Sequence, residues 1–239
     1  MVYALYEKRG RGVGNGGTNM KVTHITLPAS DEQLAQLEIG SIVYLSGVVY
    51  TAREGVYKKI IEEGEQLPLD NLSQLTNANF HCSPALAPED DGSYRVGAVT
   101  ATASFRFSQW MDEWLKRTQT KIVIGKGGMP NEDYKNLFVP HGAVYLTTVG
   151  YGTGALLGRG VEKVREVFWL EELGIAQAMW LFEVKDLGPF IVESDLSGRS
   201  LFHEHGEKIN KNIEQLYADL KQPALHRYGE TINRKDEVM

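Results

Sequence analysis

Ile42-Val43-Tyr44-Leu45-Ser46-Gly47-Val48-Val49-Tyr50-Thr51-Ala52-Arg53-Glu54 and Lys121-Ile122-Val123-Ile124-Gly125-Lys126-Gly127-Gly128 are the stretches whose reading decides the fold. Each contains an apolar, β-branched run of strand length, interrupted or followed by glycine, with a cation at its end. Such runs, bounded by turn residues, read as buried strands. A cation set just beyond a buried strand is costly to desolvate unless it meets an anion. Arg53 offers a planar fork that suits a carboxylate, and Lys126 is a compact charge between glycines that let a ligand approach the backbone. The pattern points to an anion-binding site; its alternative is that each cation pairs with an Asp or Glu of the same chain. The Gly-Lys-Gly lacks the spacing of a phosphate-binding P-loop.

Outward from these strands the chain reads as α/β with a mixed set of strands. Val22 to Leu27, Ser41 to Tyr50, Phe80 to Ala85, Tyr94 to Val99, Ile122 to Ile124, Pro140 to Leu146, Ala178 to Val184 and Phe190 to Glu193 have strand composition or alternation. Ser30 caps a short helical piece through Leu37, and Val56 to Glu63 and Gln109 to Lys116 have helical spacing. A further helix is expected over Leu156 to Phe168. Leu187-Gly188-Pro189 separates the last two strands and Asp195 to Gly198 is a turn. Ile209, Ile213, Leu216 and Leu220 mark an amphipathic helix over Gly206 to Leu220. Residues 1–20 hold Gly10, Gly12, Gly14, Gly16 and Gly17 and read as a flexible leader, with Met20 as an alternative start. The expected organisation is that leader, one domain over 21–202, and a C-terminal helical extension over 203–239.

At 239 residues, 42% hydrophobic and 23% charged, the chain can bury a core and is too polar for a bilayer. Its apolar stretches fall short of the roughly 20 residues a spanning helix needs, and it opens without a secretory pattern. A cytoplasmic protein with no membrane partner is expected. A net charge of −6 argues against nucleic acid as a partner. Cys82 is the only cysteine, so this chain alone can supply neither a disulfide nor a thiolate-held metal site.

Val99 to Arg106 adds hydroxyls and a third cation to the candidate site. Thr102 or Ser104, near Arg106, could hold a carboxylate or move a proton if neighbouring positive charge activates the hydroxyl. The alternative is an ordinary turn with local hydroxyl-to-backbone bonds. His81, His203, His205 and His226 read as satisfied core or surface residues. His203 and His205, two apart, could touch a metal on a strand, but no ligand pattern supports a metal site. Trp110, Trp114, Trp169 and Trp180 read as core or interface residues.

Taken in order, the motifs are Ser46-Gly47 leading to Thr51-Ala52-Arg53-Glu54 with Lys58 behind it, Phe80-His81-Cys82-Ser83-Pro84, Thr100 to Arg106, Ile124-Gly125-Lys126-Gly127, Gly142 to Leu146, and Glu172-Leu173-Gly174 with Ala178-Met179-Trp180. Over roughly Met20 to Phe202 this series resembles the β subunit, or C-terminal region, of the iron-sulfur fumarate hydratase and tartrate dehydratase family, the class I fumarases. That family shows Thr-Ala-Arg-Asp, Cys-Gly-Pro, Gly-Pro-Thr-Thr with Arg after two more residues, and Ile-Gly-Lys-Gly. This chain departs from it at Glu54, Tyr57, Ala101, Ala103, Phe107 and Ser108.

The resemblance implies a swivelling β/β/α domain and a hydro-lyase that adds water to, or removes it from, a dicarboxylate such as malate or tartrate. It implies that Arg53, Arg106 and Lys126 contact substrate, that Thr102 is the catalytic hydroxyl with Lys126 beside it, and that no metal binds here. A 4Fe–4S cluster would be carried by a partner α subunit in a hetero-oligomer, none being bound by this chain alone. Ala101 and Ala103 keep open a second reading, a non-catalytic carboxylate-binding or assembly subunit of the same fold.

Overall fold

The computed structural model describes residues 20–150 and 152–218. Except for Met20, the expected leader lies outside the described residues, as does the chain beyond Ala218. In chain order the strands are β1 (Val22–Thr26), β2 (Ile42–Thr51), β3 (Ala78–Phe80), β4 (Cys82–Pro88), β5 (Tyr94–Ala101), β6 (Ile122–Gly125), β7 (Val144–Thr148), β8 (Val161–Phe168) and β9 (Met179–Ser194). The helices are α1 (Asp31–Leu34), α2 (Glu54–Tyr57), α3 (Leu72–Leu75), α4 (Ser108–Thr118), α5 (Asn131–Asp133), α6 (Gly154–Arg159), α7 (Leu170–Leu173) and α8 (Leu201–Tyr217). Wide π turns over Lys58–Glu62 and Tyr134–Phe138 continue α2 and α5.

One edge of β2 carries two strands in succession. β1 runs parallel along Ile42 to Ser46, and β3 takes over at Tyr50 and Thr51. β9 lies antiparallel along the other edge. From β3 the sheet continues in parallel through β6 and β7, and β7 pairs antiparallel with β9. The circuit β2, β3, β6, β7, β9 therefore returns to β2, and the mixed sheet closes into a barrel-like arrangement with β8 on the flank of β9. β4 and β5 form a separate hairpin.

Period-two alternation sends side chains into two hydrophobic clusters. Val43, Leu45 and Val49 of β2, Ile122 and Ile124 of β6, and Trp180 and Phe182 of β9 belong to one. Val48, Tyr50, Val123, Tyr145, Met179 and Leu181 belong to the other, which α4 fills with Trp110, Met111, Trp114 and Leu115. Both faces are thus covered, which is why the central strands read as nearly continuous apolar runs.

Three expectations fail for physical reasons. Val161, Val164 and Val167 have helical spacing, yet only Gly154 to Arg159 is helical and Val161 to Phe168 is strand. Register shifts between Val161 and Lys163 and between Val164 and Glu166 each insert an unpaired residue, so that positions three apart return to one face of β8. The two strands expected around Leu187-Gly188-Pro189 are one continuous β9, with the irregularity taken up in its pairing with β2 between Val43 and Gly47. The strand expected from Pro140 begins only at Val144, because Gly142 at φ +61° and the bond from Ala143 N to Phe138 O at 2.9 Å form a turn there.

The chain divides into two units between Leu201 and Phe202. In the second, α8 begins earlier than expected and leaves Ile209, Ile213 and Leu216 exposed. His203 sits on this helix 3.6 Å from Glu207. On a helix, residues two apart such as His203 and His205 do not face each other, which removes the strand-borne pair considered above. No helix among the described residues is long and apolar enough to cross a membrane.

Trp114 is fully buried and its indole Nε1–H donates to Tyr50 Oη at 3.0 Å. Trp114→Ala is expected to destabilise the domain by about 3–5 kcal/mol, read from the midpoint of urea unfolding.

Candidate functional site

The parallel strands β2, β3, β6 and β7 end on one rim, and the residues that follow them form the candidate site. This is where ligands bind in open α/β sheets generally. Arg53 follows β2, His81 follows β3, and Lys126 follows β6. The end of β5 is laid between the last two: Thr102 N donates to His81 O at 2.6 Å, Lys126 N to Thr102 O at 3.2 Å, and Ser104 N to Lys126 O at 3.2 Å.

Arg53 is partly buried, and its Nη1 donates to Ala176 O at 2.7 Å. Its buried Nε has no acceptor. Burial first, and the nearby Arg106 guanidinium second, hold Arg53 below the usual arginine range. Glu54, the adjacent carboxylate, is committed to Lys58 at 2.6 Å. Arg106 is exposed and lies 5.5 Å from the centre of the Phe107 ring. Among the described residues, none of the ion pairs within 4.0 Å joins Arg53, Arg106 or Lys126 to a carboxylate of this chain. The internal-pair alternative is not taken.

Thr102 is nearly buried, and its hydrogen bonds among the described residues are those of its backbone. Ser104 differs: it is fully buried and committed inward. His81 Nδ1 lies 2.7 Å from Ser104 Oγ, and Tyr145 Oη donates to the same oxygen at 2.7 Å. On the other side of the imidazole, Tyr57 Oη lies 2.7 Å from Nε2 and accepts from Asn79 Nδ2 at 2.8 Å. With Asn79 donating, Tyr57 has one proton to give and Nε2 is the acceptor in reach, so Nδ1 carries the proton toward Ser104. Burial, and secondarily Arg53, pull His81 down to about 3, so it is neutral. Of the two hydroxyls weighed from sequence, Thr102 remains the candidate.

Lys126 lines a small cleft of about 80 Å³ with Thr100, Thr148 and the backbone of Gly150, Gly152 and Gly154. The two arginines are not in its lining. The fold therefore brings Arg53 near Arg106, and Thr102 beside Lys126, on one rim.

Sequence reasoning missed the buried chain Asn79, Tyr57, His81, Ser104, Tyr145. Its one signal is the alternation Ala78-Asn79-Phe80-His81-Cys82, which puts two polar residues on a single face of a buried strand. Cys82 is fully buried and burial pushes its thiol up. Among the described residues no cluster of three or more His, Cys, Asp or Glu could hold a metal ion. The residues of this chain do not fit an iron-sulfur cluster.

The closed mixed sheet thus carries Arg53, Lys126 and the Thr102 loop on its carboxyl rim. The sequence matches the family described as Fumarase C-terminus over residues 6–205, and the chain belongs to that family. It is 36% identical over 188 residues to a protein of Methanocaldococcus jannaschii provisionally named an L(+)-tartrate dehydratase β subunit, covering 77% of this chain and 93% of that one. It is 32% identical over 205 residues to a protein of Geobacillus stearothermophilus provisionally named a class I fumarate hydratase, covering 86% of this chain but 37% of that longer one. Identity to the L(+)-tartrate dehydratase β subunit of Escherichia coli K12 is 28% over 215 residues, 87% of this chain and 96% of that one.

The neutral His81 makes stability depend on pH. Its folded value, about 3, lies below the ordinary 6.5, so the unfolded chain binds more protons between them. Stability from this group is complete above 6.5 and is lost as pH falls toward 3. Denaturant unfolding at successive pH values is expected to show a slope of up to about 1.4 kcal/mol per pH unit from this one group, flattened in His81→Asn.

Proposed function

We propose that this chain is the β subunit of a hydro-lyase that hydrates or dehydrates a dicarboxylate, of the fumarate/malate or tartrate type. The observation that carries the reading is the set of three cations, Arg53, Arg106 and Lys126, none held by a carboxylate of the described chain within ion-pair distance. Each retains its capacity for a substrate carboxylate. The family and the names of the relatives support the reaction class.

In this reading Arg53 and Arg106 hold one end of the substrate. The orphaned Nε–H of Arg53 gains an acceptor when a carboxylate binds, and the mutual repulsion of the two guanidinium groups is relieved. Lys126 meets the other carboxylate or the substrate hydroxyl. Thr102, its hydroxyl proton first released to solvent water with the surrounding positive charge favouring the alkoxide, takes the proton from the carbon next to the carboxylate and so returns to the hydroxyl form. Negative charge then gathers on the substrate, and cations already in place stabilise it without reorganisation.

The rim is open, and the rest of the site is proposed to come from an α subunit in a hetero-oligomer. That the matched region forms 37% of the Geobacillus protein is consistent with a second portion supplied there within one chain. Because the residues of this chain do not fit a cluster, a 4Fe–4S group belongs on that partner, where it would supply Lewis acidity. Neither nucleic acid nor a membrane is proposed as a partner.

Ala101 and Ala103 favour a second reading, a carboxylate-binding or assembly subunit without turnover. Anaerobic purification with the partner encoded by the neighbouring gene, followed by assay on fumarate, malate and both enantiomers of tartrate, separates the two. Turnover of one of them is expected, with Arg53→Ala lowering kcat/KM by about 10²–10³-fold, equivalent to ~3–4 kcal/mol. A pair that turns over none of these acids, or an Arg53→Ala pair with unchanged rates, overturns the enzymatic reading.

For the isolated chain, a dicarboxylate at about 100 times its Kd is expected to stabilise folding by about 2.7 kcal/mol. Arg53→Met should lose that increment, and, because it removes a half-buried cation without a carboxylate partner, should fold at least as stably as the parent in ligand-free thermal melts.

A further inference from the structure

We propose that His81 and Ser104 are positioning residues, which through the bond from His81 Nδ1 to Ser104 Oγ hold the Thr102 hydroxyl and the Lys126 ammonium in register on the rim. The catalytic part of this inference rests on the reading above; the structural part does not.

The geometry is that of a clamp closed from beneath. The backbone bonds that tie the Thr102 to Ser104 loop to β6, Lys126 N to Thr102 O and Ser104 N to Lys126 O, are both 3.2 Å, the long end for an amide hydrogen bond. By contrast, Ser104 Oγ is held by His81 Nδ1 and by Tyr145 Oη, each at 2.7 Å. With the 2.6 Å backbone bond from Thr102 N to His81 O, these side-chain links are the short constraints on the loop.

Gly125 makes the approach possible. A Cβ at that position would stand 2.0 Å from Ser104 Oγ and 2.7 Å from Tyr145 Oη. Only a glycine lets the two hydroxyls lie against the last residue of β6, immediately before Lys126. Tyr57, hydrogen-bonded to Nε2 and stacked with Trp110 at 5.7 Å, fixes the imidazole from behind.

The groups facing His81 are the hydroxyls of Tyr57 and Ser104, the edge of Phe107 and, at longer range, the Arg53 cation. No carboxylate enters its hydrogen bonds. The imidazole is thus a fixed strut, not a proton carrier, and its loss acts through geometry. Displacement of a reacting group by about 1 Å can cost 10²-fold in rate.

The test uses three variants of the full chain, alone and paired with the α partner. Ser104→Ala removes the acceptor. His81→Gln places its amide near the Nε2 position and loses the link to Ser104, whereas His81→Asn places its amide near Nδ1 and keeps it. In the chain alone, amide exchange at Thr102, Ser104 and Lys126 is expected to quicken at least tenfold in Ser104→Ala and His81→Gln, and less in His81→Asn. Amides of β7 and β9 should hold their parental rates.

In the pair, kcat is expected to fall 10- to 100-fold in the first two variants with KM within about threefold, and His81→Asn should recover a substantial part. Unchanged exchange at the three amides overturns the inference, as does equal acceleration across β7 and β9, which would make the network a general support of the core. Local loosening with parental kcat overturns the catalytic part. If the parental pair turns over no dicarboxylate, the hydro-lyase reading fails on its own, while the exchange rates still decide the link between His81 and the loop.

Discussion

The structure depends on the way β2 shares its two edges. A strand has one line of donors and acceptors on each side, and β2 gives one to β9 and divides the other between β1 and β3. Division of that edge allows β3, β6 and β7 to start a new parallel run whose far side meets β9 again. Once the circuit closes, the carboxyl ends of the parallel strands face one rim. His81 and Lys126 arrive there because each immediately follows one of those ends, and Arg53 because it stands two residues beyond the end of β2.

Closure also sets the electrostatics. Both faces of the sheet are covered by apolar side chains, so the groups at the rim border a low-dielectric interior where an unmatched charge is expensive. Lys58 takes up Glu54, and Arg53 is left with a carbonyl partner and an orphaned Nε–H. Just beneath, the polar groups are neutral and joined in a line from Asn79 to Tyr145. Neutral groups joined by hydrogen bonds cost less to bury than charges and act as struts, with Asn79 Oδ1 the one atom of the line left without a partner among the described residues.

Much of this was legible residue by residue. The two apolar runs announced buried strands, and the order of motifs from Thr51 to Lys126 pointed to the family that the chain does match. What misled was spacing without pairing. Val161, Val164 and Val167 have a helical interval that paired bulges convert into one face of a strand, and Gly188-Pro189 marks an irregularity inside β9, not its end. A bulge is a relation between two strands, so one strand's residues cannot reveal it.

The sequence by itself determined which chemistry was available: two arginines, a lysine and a threonine in a fixed order, with a single cysteine. Those are covalent facts, and no packing alters them. Only the tertiary structure decided how they are used. It turned Ser104 inward to His81 and Tyr145 and left the Thr102 hydroxyl without a partner among the described residues, a choice between two neighbouring hydroxyls that local sequence cannot make because the deciding contacts come from residues 23 and 41 positions away. It also placed Lys126 in the lining of a small cleft with Thr100 and Thr148. Burial and hydrogen bonding between distant segments, not residue type, select which polar groups become struts and which remain free to bind.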